Sequence, residues 1–486
     1  MSDEILNLEP RQIWRNFHSL TQIPRPSKKE GKIIQFIREY GERLGLETSV
    51  DRAGNVLIRK PAAKGMEHRK TVTLQTHLDM VPQKNSDTVH DFEKDPIQAY
   101  IDGDWVKARG TTLGSDNGIG VAAALSVLES TDLRHGPLEA LFTIDEETGM
   151  SGAFSLKPGM LKGEILINMD SEDEGELYIG CAGGLDATIT LPCRETPIPQ
   201  KHASYLLALK GLRGGHSGLD INLGRANSNK LLCRFLYYAG EEFGLRLSSF
   251  NGGNLRNAIP RESFAEVLVP SGKSREFLKA VRDFEVIFQH ELKATEPGLT
   301  FEVLKCKKIK KVISKDGQSR LIRALYACPN GVIRMSDGVP GLVETSTNLA
   351  VVKTEKGKAT IMCLLRSSMD SSKDDLGRMV MSVFTLAGAD VKLEGGYPGW
   401  KPNPDSLILK TMKNVYQQKF GKIPEVKAVH AGLECGLIGG IYPNMDMISF
   451  GPTIRHPHSP DEKVHIGSVG KFWEYLVETL KNIPEK

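Results

Sequence analysis

Thr71-Val72-Thr73-Leu74-Gln75-Thr76-His77-Leu78-Asp79-Met80-Val81 is the stretch on which the fold turns. It opens with β-branched and apolar residues and then breaks, as a strand does where it meets a loop. His77 and Asp79 stand two residues apart at that break. In an extended chain such residues point to the same side, so an imidazole and a carboxylate face one pocket. That pairing suits a metal ligand whose other ring N–H is held by a carboxylate. Taken alone it also describes an ordinary polar strand end.

The same pattern recurs downstream. Leu138 to Ile144 is a short apolar run that ends in Asp145-Glu146-Glu147-Thr148-Gly149. Consecutive carboxylates repel one another unless water or a cation relieves them. Ile165-Leu166-Ile167-Asn168-Met169 is a third strand and ends on Asp170. Between the first two lies Arg109-Gly110-Thr111-Thr112-Leu113-Gly114-Ser115-Asp116-Asn117-Gly118-Ile119-Gly120, followed by an apolar helix. This glycine run lacks the Gly-Lys-Ser/Thr ending of a phosphate loop and the GxGxxG pattern after a strand. It reads instead as a tight loop presenting Asp116 at a helix start. Strands alternating with helix-length segments predict an α/β fold, and in open α/β sheets sites gather at the carboxyl ends of the strands.

Outward from this core, residues 11–46 carry helical spacing with a break at Pro24-Arg25-Pro26-Ser27, and Ser27 is a candidate N-cap for a helix from Lys28 to Leu44. Hairpins are expected at 49–59 and 99–108. The pattern changes after about residue 186, where strands and helices follow one another as in an α+β domain with two similar halves. Gly395-Gly396-Tyr397-Pro398-Gly399-Trp400 marks the return to α/β. The expected organisation is therefore a catalytic domain built from 1–186 and 401–486, with an inserted domain at 187–400.

The length of 486 residues exceeds one ordinary core. A hydrophobic share of 40% and a charged share of 25% are those of a soluble globular protein. Net charge of +3 argues against a nucleic-acid footprint, and the basic run Lys305-Cys306-Lys307-Lys308-Ile309-Lys310-Lys311 reads as a solvated strand or loop. The polar start, Met1 to Pro10, lacks a secretory pattern, and no apolar run is long enough to span a bilayer. Seven scattered cysteines without CxxC spacing point to free thiols and a cytoplasmic protein. Any metal site must then use His, Asp and Glu.

The groups so collected are His77, Asp116, Glu147, Asp170 and one of His456 or His458. Imidazoles and carboxylates without thiolate suit two divalent ions of the zinc, manganese or cobalt type, with one carboxylate bridging. Glu146, beside a ligand but not needed as one, is the natural general base for an attacking water.

With these motifs in hand the chain resembles the co-catalytic zinc peptidase family that contains carnosinases, aminoacylases and carboxypeptidase G. The resemblance spans essentially the whole chain. Its carriers are Thr76–Val81, Leu113–Gly118, Asp145–Gly149, Asn168–Asp170, Gly214-Gly215-His216-Ser217-Gly218 and His458-Ser459-Pro460-Asp461-Glu462. It implies a mixed-sheet catalytic domain with helices on both faces and an inserted α+β lid and dimerisation domain. It implies a metallo-dipeptidase acting on dipeptides, those with His in second place and β-alanyl-histidine included. His77, Asp116 and Asp170 would hold one metal. Glu147, His458 and the bridging Asp116 would hold the other, zinc foremost, with cobalt or manganese as alternatives.

By the same resemblance Asp79 orients His77, and His216 steadies the oxyanion. Asn257 and Arg366 bind the substrate carboxylate. Apart from the resemblance, Glu434, in His430-Ala431-Gly432-Leu433-Glu434-Cys435-Gly436, reads as pocket-like and is assigned to the free amino group of a dipeptide, which needs an anionic partner. A homodimer is expected, with no nucleic-acid or membrane partner, and the sequence leaves open whether His216 serves its own chain or a partner. The alternatives are an aminoacylase or carboxypeptidase on the same scaffold, and a non-catalytic metal-loaded binding protein. The paired Glu146 and Glu147 speak against the last.

Overall fold

The computed structural model describes residues 2–304, 306 and 309–486. Its contacts divide the chain into two compact units. One comprises 1–181, 400–428 and 433–486, the other 182–399 and 429–432. The first division thus falls at 181/182, whereas 186 lies inside a strand, Gly183–Pro192, that is paired along both edges. Cys181 and Trp400, the first unit's residues at the exit and return, pair antiparallel with two backbone hydrogen bonds of 3.0 Å. Adjacent exit and return points are what allow one domain to sit inside another.

The first unit is built on an eight-stranded mixed sheet. Its order is Glu47–Val50, Val56–Lys60, Leu138–Thr143, Val72–His77, Ile165–Asn168, Asp446–Ser449, Glu176–Cys181 and Glu425–Val429. The strands Leu138–Thr143, Val72–His77, Ile165–Asn168 and Asp446–Ser449 run parallel. Parallel strands are buried on both faces, and every residue of Val72–His77 is buried. The strand nevertheless contains Thr73, Gln75 and Thr76. A buried amide or hydroxyl must find partners, and Gln75 finds them in Asn168, Thr143 and Glu434. The helix Ser115–Glu129 is apolar all round and almost wholly buried, as a helix packed on several sides must be.

Ser27 does not cap the following helix, which runs Gly31–Arg43 with Glu30 in the N-cap position. Its hydroxyl is taken by Asp79, 2.7 Å away, while its backbone N–H donates to Met80. A charged acceptor outcompetes a backbone cap.

The second unit carries a nine-stranded sheet. One half orders Thr300–Leu304, His202–Lys210, Ser263–Pro270 and Arg246–Gly252, and the other Val343–Glu355, Lys358–Ser367, Gly183–Pro192 and Asp390–Tyr397. Each half is β-α-β-β-α-β in chain order, and the two join where Asn251 and Gly252 pair with Lys353 and Val352. The second half's first strand, Gly183–Pro192, precedes the whole first half in the chain, so one half is nested in the other. Gly331–Met335 adds an edge strand.

Of the basic run, Lys305, Lys307 and Lys308 lie outside the described residues, and Lys311 pairs with Glu195 at 2.8 Å. Of the seven cysteines, Cys306 alone is not buried. Among the described residues no helix is long and apolar enough to cross a membrane.

Candidate metal centre

His77 is the last residue of its strand and 1% exposed. Its Nδ1 faces Asp79, 3.2 Å from the backbone oxygen and 3.4 Å from Oδ1. A proton held there leaves Nε2 as the ligating atom. Nε2 lies 3.1 Å from Asp116 Oδ1 and 3.1 Å from Asp170 Oδ1. The other Asp116 oxygen, Oδ2, is 3.2 Å from His458 Nε2, which is itself 2.9 Å from Glu147 Oε2. Asp116 therefore offers one oxygen to each histidine. Asn117 donates to Asp170 Oδ1 at 2.5 Å and to the Met169 carbonyl at 2.8 Å, which sets the third carboxylate.

Within each of three sets the candidate ligand atoms lie within 4.8 Å of one another: His77, Asp116 and Asp170; Asp116, Glu147 and His458; His77, Glu146 and Glu147. His456, the other histidine weighed, is exposed and stands in none of them.

The charge balance fits cations. Burial alone would push His77 down, yet Asp170 and Asp116 hold it well above its ordinary value. Hydrogen bonds that His458 donates to Asp116 and Glu147 push it up to about 11. Burial raises Glu147, and its Oε1 is buried with no hydrogen-bond partner. Clustered carboxylates that recruit protons onto neighbouring imidazoles, with a carboxylate oxygen to spare, form a donor set for hard or borderline divalent ions.

Glu146 and Glu147 sit on the turn after the strand Leu138–Thr143, behind Asp145 in the left-handed region at φ 55°. Asp79 grips this turn, its Oδ1 accepting from Glu146 N–H at 3.0 Å and its Oδ2 from Glu147 N–H at 3.2 Å. Burial would raise Asp79, but His77, Ser27 and the Glu146 N–H outweigh it and hold the carboxyl at about 2. Glu146 is raised well above the carboxylate range by burial and then by Asp170, Glu434 and Glu147.

Glu434 is 1% exposed. Its Oε2 accepts from Gln75 Nε2 and Thr143 Oγ1, both at 2.6 Å, and Oε1 has no partner. Burial pushes it up to about 8.

In the second unit, His216 Nδ1 accepts the N–H groups of Gly218 at 3.2 Å and Leu219 at 3.1 Å. The ring proton then sits on Nε2, 3.4 Å from Arg366 Nη2. Burial first and Arg366 second lower His216, favouring the neutral ring. Two adjacent donors of this kind call for an acceptor within reach of both. Arg366 is only 5% exposed, and it reaches Ser217 Oγ at 3.4 Å and Tyr397 Oη at 3.3 Å. Asn257 is exposed and accepts Ser217 N–H through its backbone oxygen. His430 is buried against Ser346 Oγ at 2.7 Å.

Ser27 reads in the sequence only as a candidate N-cap, and Arg25, Tyr397, His430 and Glu462 enter only within quoted stretches, with no role of their own. What ties them to their partners is contact across long stretches of chain, which spacing alone does not show.

A model of the family described as Peptidase family M20/M25/M40 matches residues 73–482. The chain is 50% identical over 483 residues to the cytosol non-specific dipeptidase of Escherichia coli, covering 99% of this chain and 100% of that one. The crystal structure of aminoacylhistidine dipeptidase from Vibrio alginolyticus superposes with a TM-score of 0.94 at 50% identity, covering 100% of both chains. The aminopeptidase PepT structure from Bacillus cereus, at 16% identity and a TM-score of 0.63 over 98% of this chain and 99% of that one, shares the fold.

Proposed function

The chain belongs to peptidase family M20/M25/M40, and from that membership we propose that it is a metal-dependent dipeptidase that hydrolyses a range of dipeptides, those with His in second place included. The substrate range rests on the two relatives, one named a non-specific dipeptidase and the other an aminoacylhistidine dipeptidase. The single observation that carries the metal reading is Asp116, whose two oxygens each face a different histidine.

In this reading His77, Asp116 and Asp170 hold one divalent ion, and Asp116, Glu147 and His458 the other, zinc foremost and cobalt or manganese otherwise. The ions supply Lewis acidity and ease the deprotonation of water. Glu146 takes the proton of the attacking water and returns it to the leaving amine. Asp79 keeps both His77 and the Glu146–Glu147 turn in place. His216 offers its Nε2 proton to the developing oxyanion, while Arg366 and Asn257 take the substrate carboxylate. The unpartnered Oε1 of Glu434 is assigned to the substrate ammonium, a cation that would draw this acid into its ionised form.

The homodimer rests on the family resemblance. A cytoplasmic location is supported by scattered cysteines without CxxC spacing and by the name of the Escherichia coli relative.

Hydrolysis of β-alanyl-histidine and a panel of α-dipeptides, tripeptides and N-acyl amino acids tests the reading, with metal content measured in parallel. Glu146→Ala is expected to lower turnover of dipeptides about 10²–10⁴-fold, the range for loss of a general acid–base group, with both metals retained. Cleavage of only acylated or longer substrates would replace the dipeptidase reading by the aminoacylase or carboxypeptidase one.

A further inference from the structure

The loop that carries Asp116 does not hold itself in place. Gly114 sits in the left-handed region at φ 71°, and Asp116 and Asn117 depart from helical geometry at φ −82°, ψ 109° and φ −103°, ψ 29°. The first N–H groups of a helix have no partners within it. Here a single carboxylate supplies them. Glu462 accepts from the N–H of Leu113 at 2.8 Å, Gly114 at 3.0 Å, Ser115 at 2.7 Å and Asp116 at 3.3 Å, and from Ser115 Oγ at 2.6 Å. It is 2% exposed and stands on the same short segment as His458. One side chain thus ties the segment of one histidine ligand to the loop of the shared carboxylate.

Arg25 performs the matching task for His77. It is 3% exposed. Its Nη1 donates to the carbonyls of Leu78 at 2.9 Å and Asp79 at 3.1 Å, and its Nη2 to that of Gly114 at 2.5 Å. A Cβ at Gly114 or Gly118 would come within 2.6 or 2.8 Å of Nη2, so glycine at both positions makes the seat for the guanidinium. Among the charges acting on Arg25, Glu462 is the largest that favours its ionised form. A buried pair of opposite charges adds little net stability over apolar residues of similar size. The hydrogen bonds of this pair end almost wholly on the backbone of segments that carry metal ligands.

We propose that Glu462 and Arg25 are positioning residues that hold the segments of His77, Asp116 and His458 at ligating spacing before any ion arrives. The inference rests on the metal reading given above. By stapling the three segments they make the ligand set rigid in the metal-free protein, so that binding an ion does not have to order it.

The experiment is a zinc titration of the metal-free full-length protein against a chromophoric chelator, for the parent, Glu462→Gln and Arg25→Lys. Thermal unfolding of each metal-free protein and kcat and KM at saturating zinc are measured alongside. Each substitution is expected to weaken zinc binding about 10–100-fold, the usual cost of losing a group that orients a ligand. Most of kcat should return at saturating zinc, with KM unchanged. A lower unfolding temperature with unchanged zinc affinity would reduce the pair to a structural role and overturn the inference. Should Glu462→Gln fail to fold, Arg25→Lys, which keeps the charge but loses the fork to the three carbonyls, decides alone. A parent that binds no zinc, cobalt or manganese overturns the metal reading, and this inference with it.

Discussion

Asp79 accepts the backbone N–H of Glu146 through Oδ1 at 3.0 Å, and so fixes the turn that presents the candidate base. The same carboxylate lies 3.4 Å from His77 Nδ1, so one residue reaches both the candidate ligand and the turn of the candidate base.

Asp79→Asn keeps the size of this side chain but turns an amide NH₂ toward groups that themselves donate. kcat/KM for dipeptides is expected to fall at least 10–100-fold. Burying unpaired donors should also cost about 1–3 kcal/mol of stability. Steady-state kinetics together with urea unfolding check both parts. A variant with full activity would remove Asp79 from the site.

Removal of metal should abolish turnover. Dialysis against a chelator is expected to give an inactive protein that unfolds at lower temperature, since an ion that binds only the folded state stabilises it. Adding back zinc, cobalt and manganese separately, with activity and bound metal measured for each, ranks the ions. Activity that survives complete chelation would refute a metal-dependent mechanism.

Arg366 carries the proposed role of taking the substrate carboxylate. Arg366→Lys loses the planar fork while keeping the charge. KM for free dipeptides should rise about 10–100-fold, matching the loss of a charge-assisted hydrogen bond, while the same dipeptides with an amidated C-terminus should be affected little. Equal losses for free and amidated substrates would point to a packing role.

His430 gives a stability effect with a defined direction. Burial, and then Arg366, lower its pKa to about 3, against an ordinary value near 6.5. Between these values the unfolded chain binds a proton that the folded one refuses, so stability falls as pH drops through the window. At pH 5 the loss from this residue is about 2 kcal/mol, at about 1.4 kcal/mol per pH unit below 6.5. His430→Gln should shrink the stability difference between pH 7 and pH 5 by about that amount in urea unfolding. An unchanged difference would mean that His430 takes up its proton in the folded state as well.

Several parts of the site were legible because their signal is local. His77, Asp116, Glu147 and Asp170 all stand where an apolar run stops or a helix begins, and a strand end shows in a handful of residues. The residues alone left His456 and His458 open, the family pattern of His-Ser followed by an acid favoured His458, and the structure brings His458 to Asp116 and Glu147. Arg366 reads as an ordinary strand residue, and its burial against Ser217 and Tyr397 follows only from the sheet. Ser27 has every mark of an N-cap, but a carboxylate fifty-two positions away claims its hydroxyl.

By itself the sequence determined the alternation of strands and helices, the strand ends that carry His77, Asp145 and Asp170, a change of pattern that it put near 186 and the structure puts at 181/182, and a donor set free of thiolate. These follow from periodicity and side-chain chemistry, which act over a few residues. Only the tertiary structure decided the nesting of one half of the inserted unit within the other, because the strand Gly183–Pro192 pairs with Lys358–Ser367 across the whole intervening half. It alone also joined Glu462 to the N–H of Asp116 across 346 positions. Hydrogen bonds to backbone leave no mark in side-chain spacing, so such pairs become visible only once the chain has closed on itself.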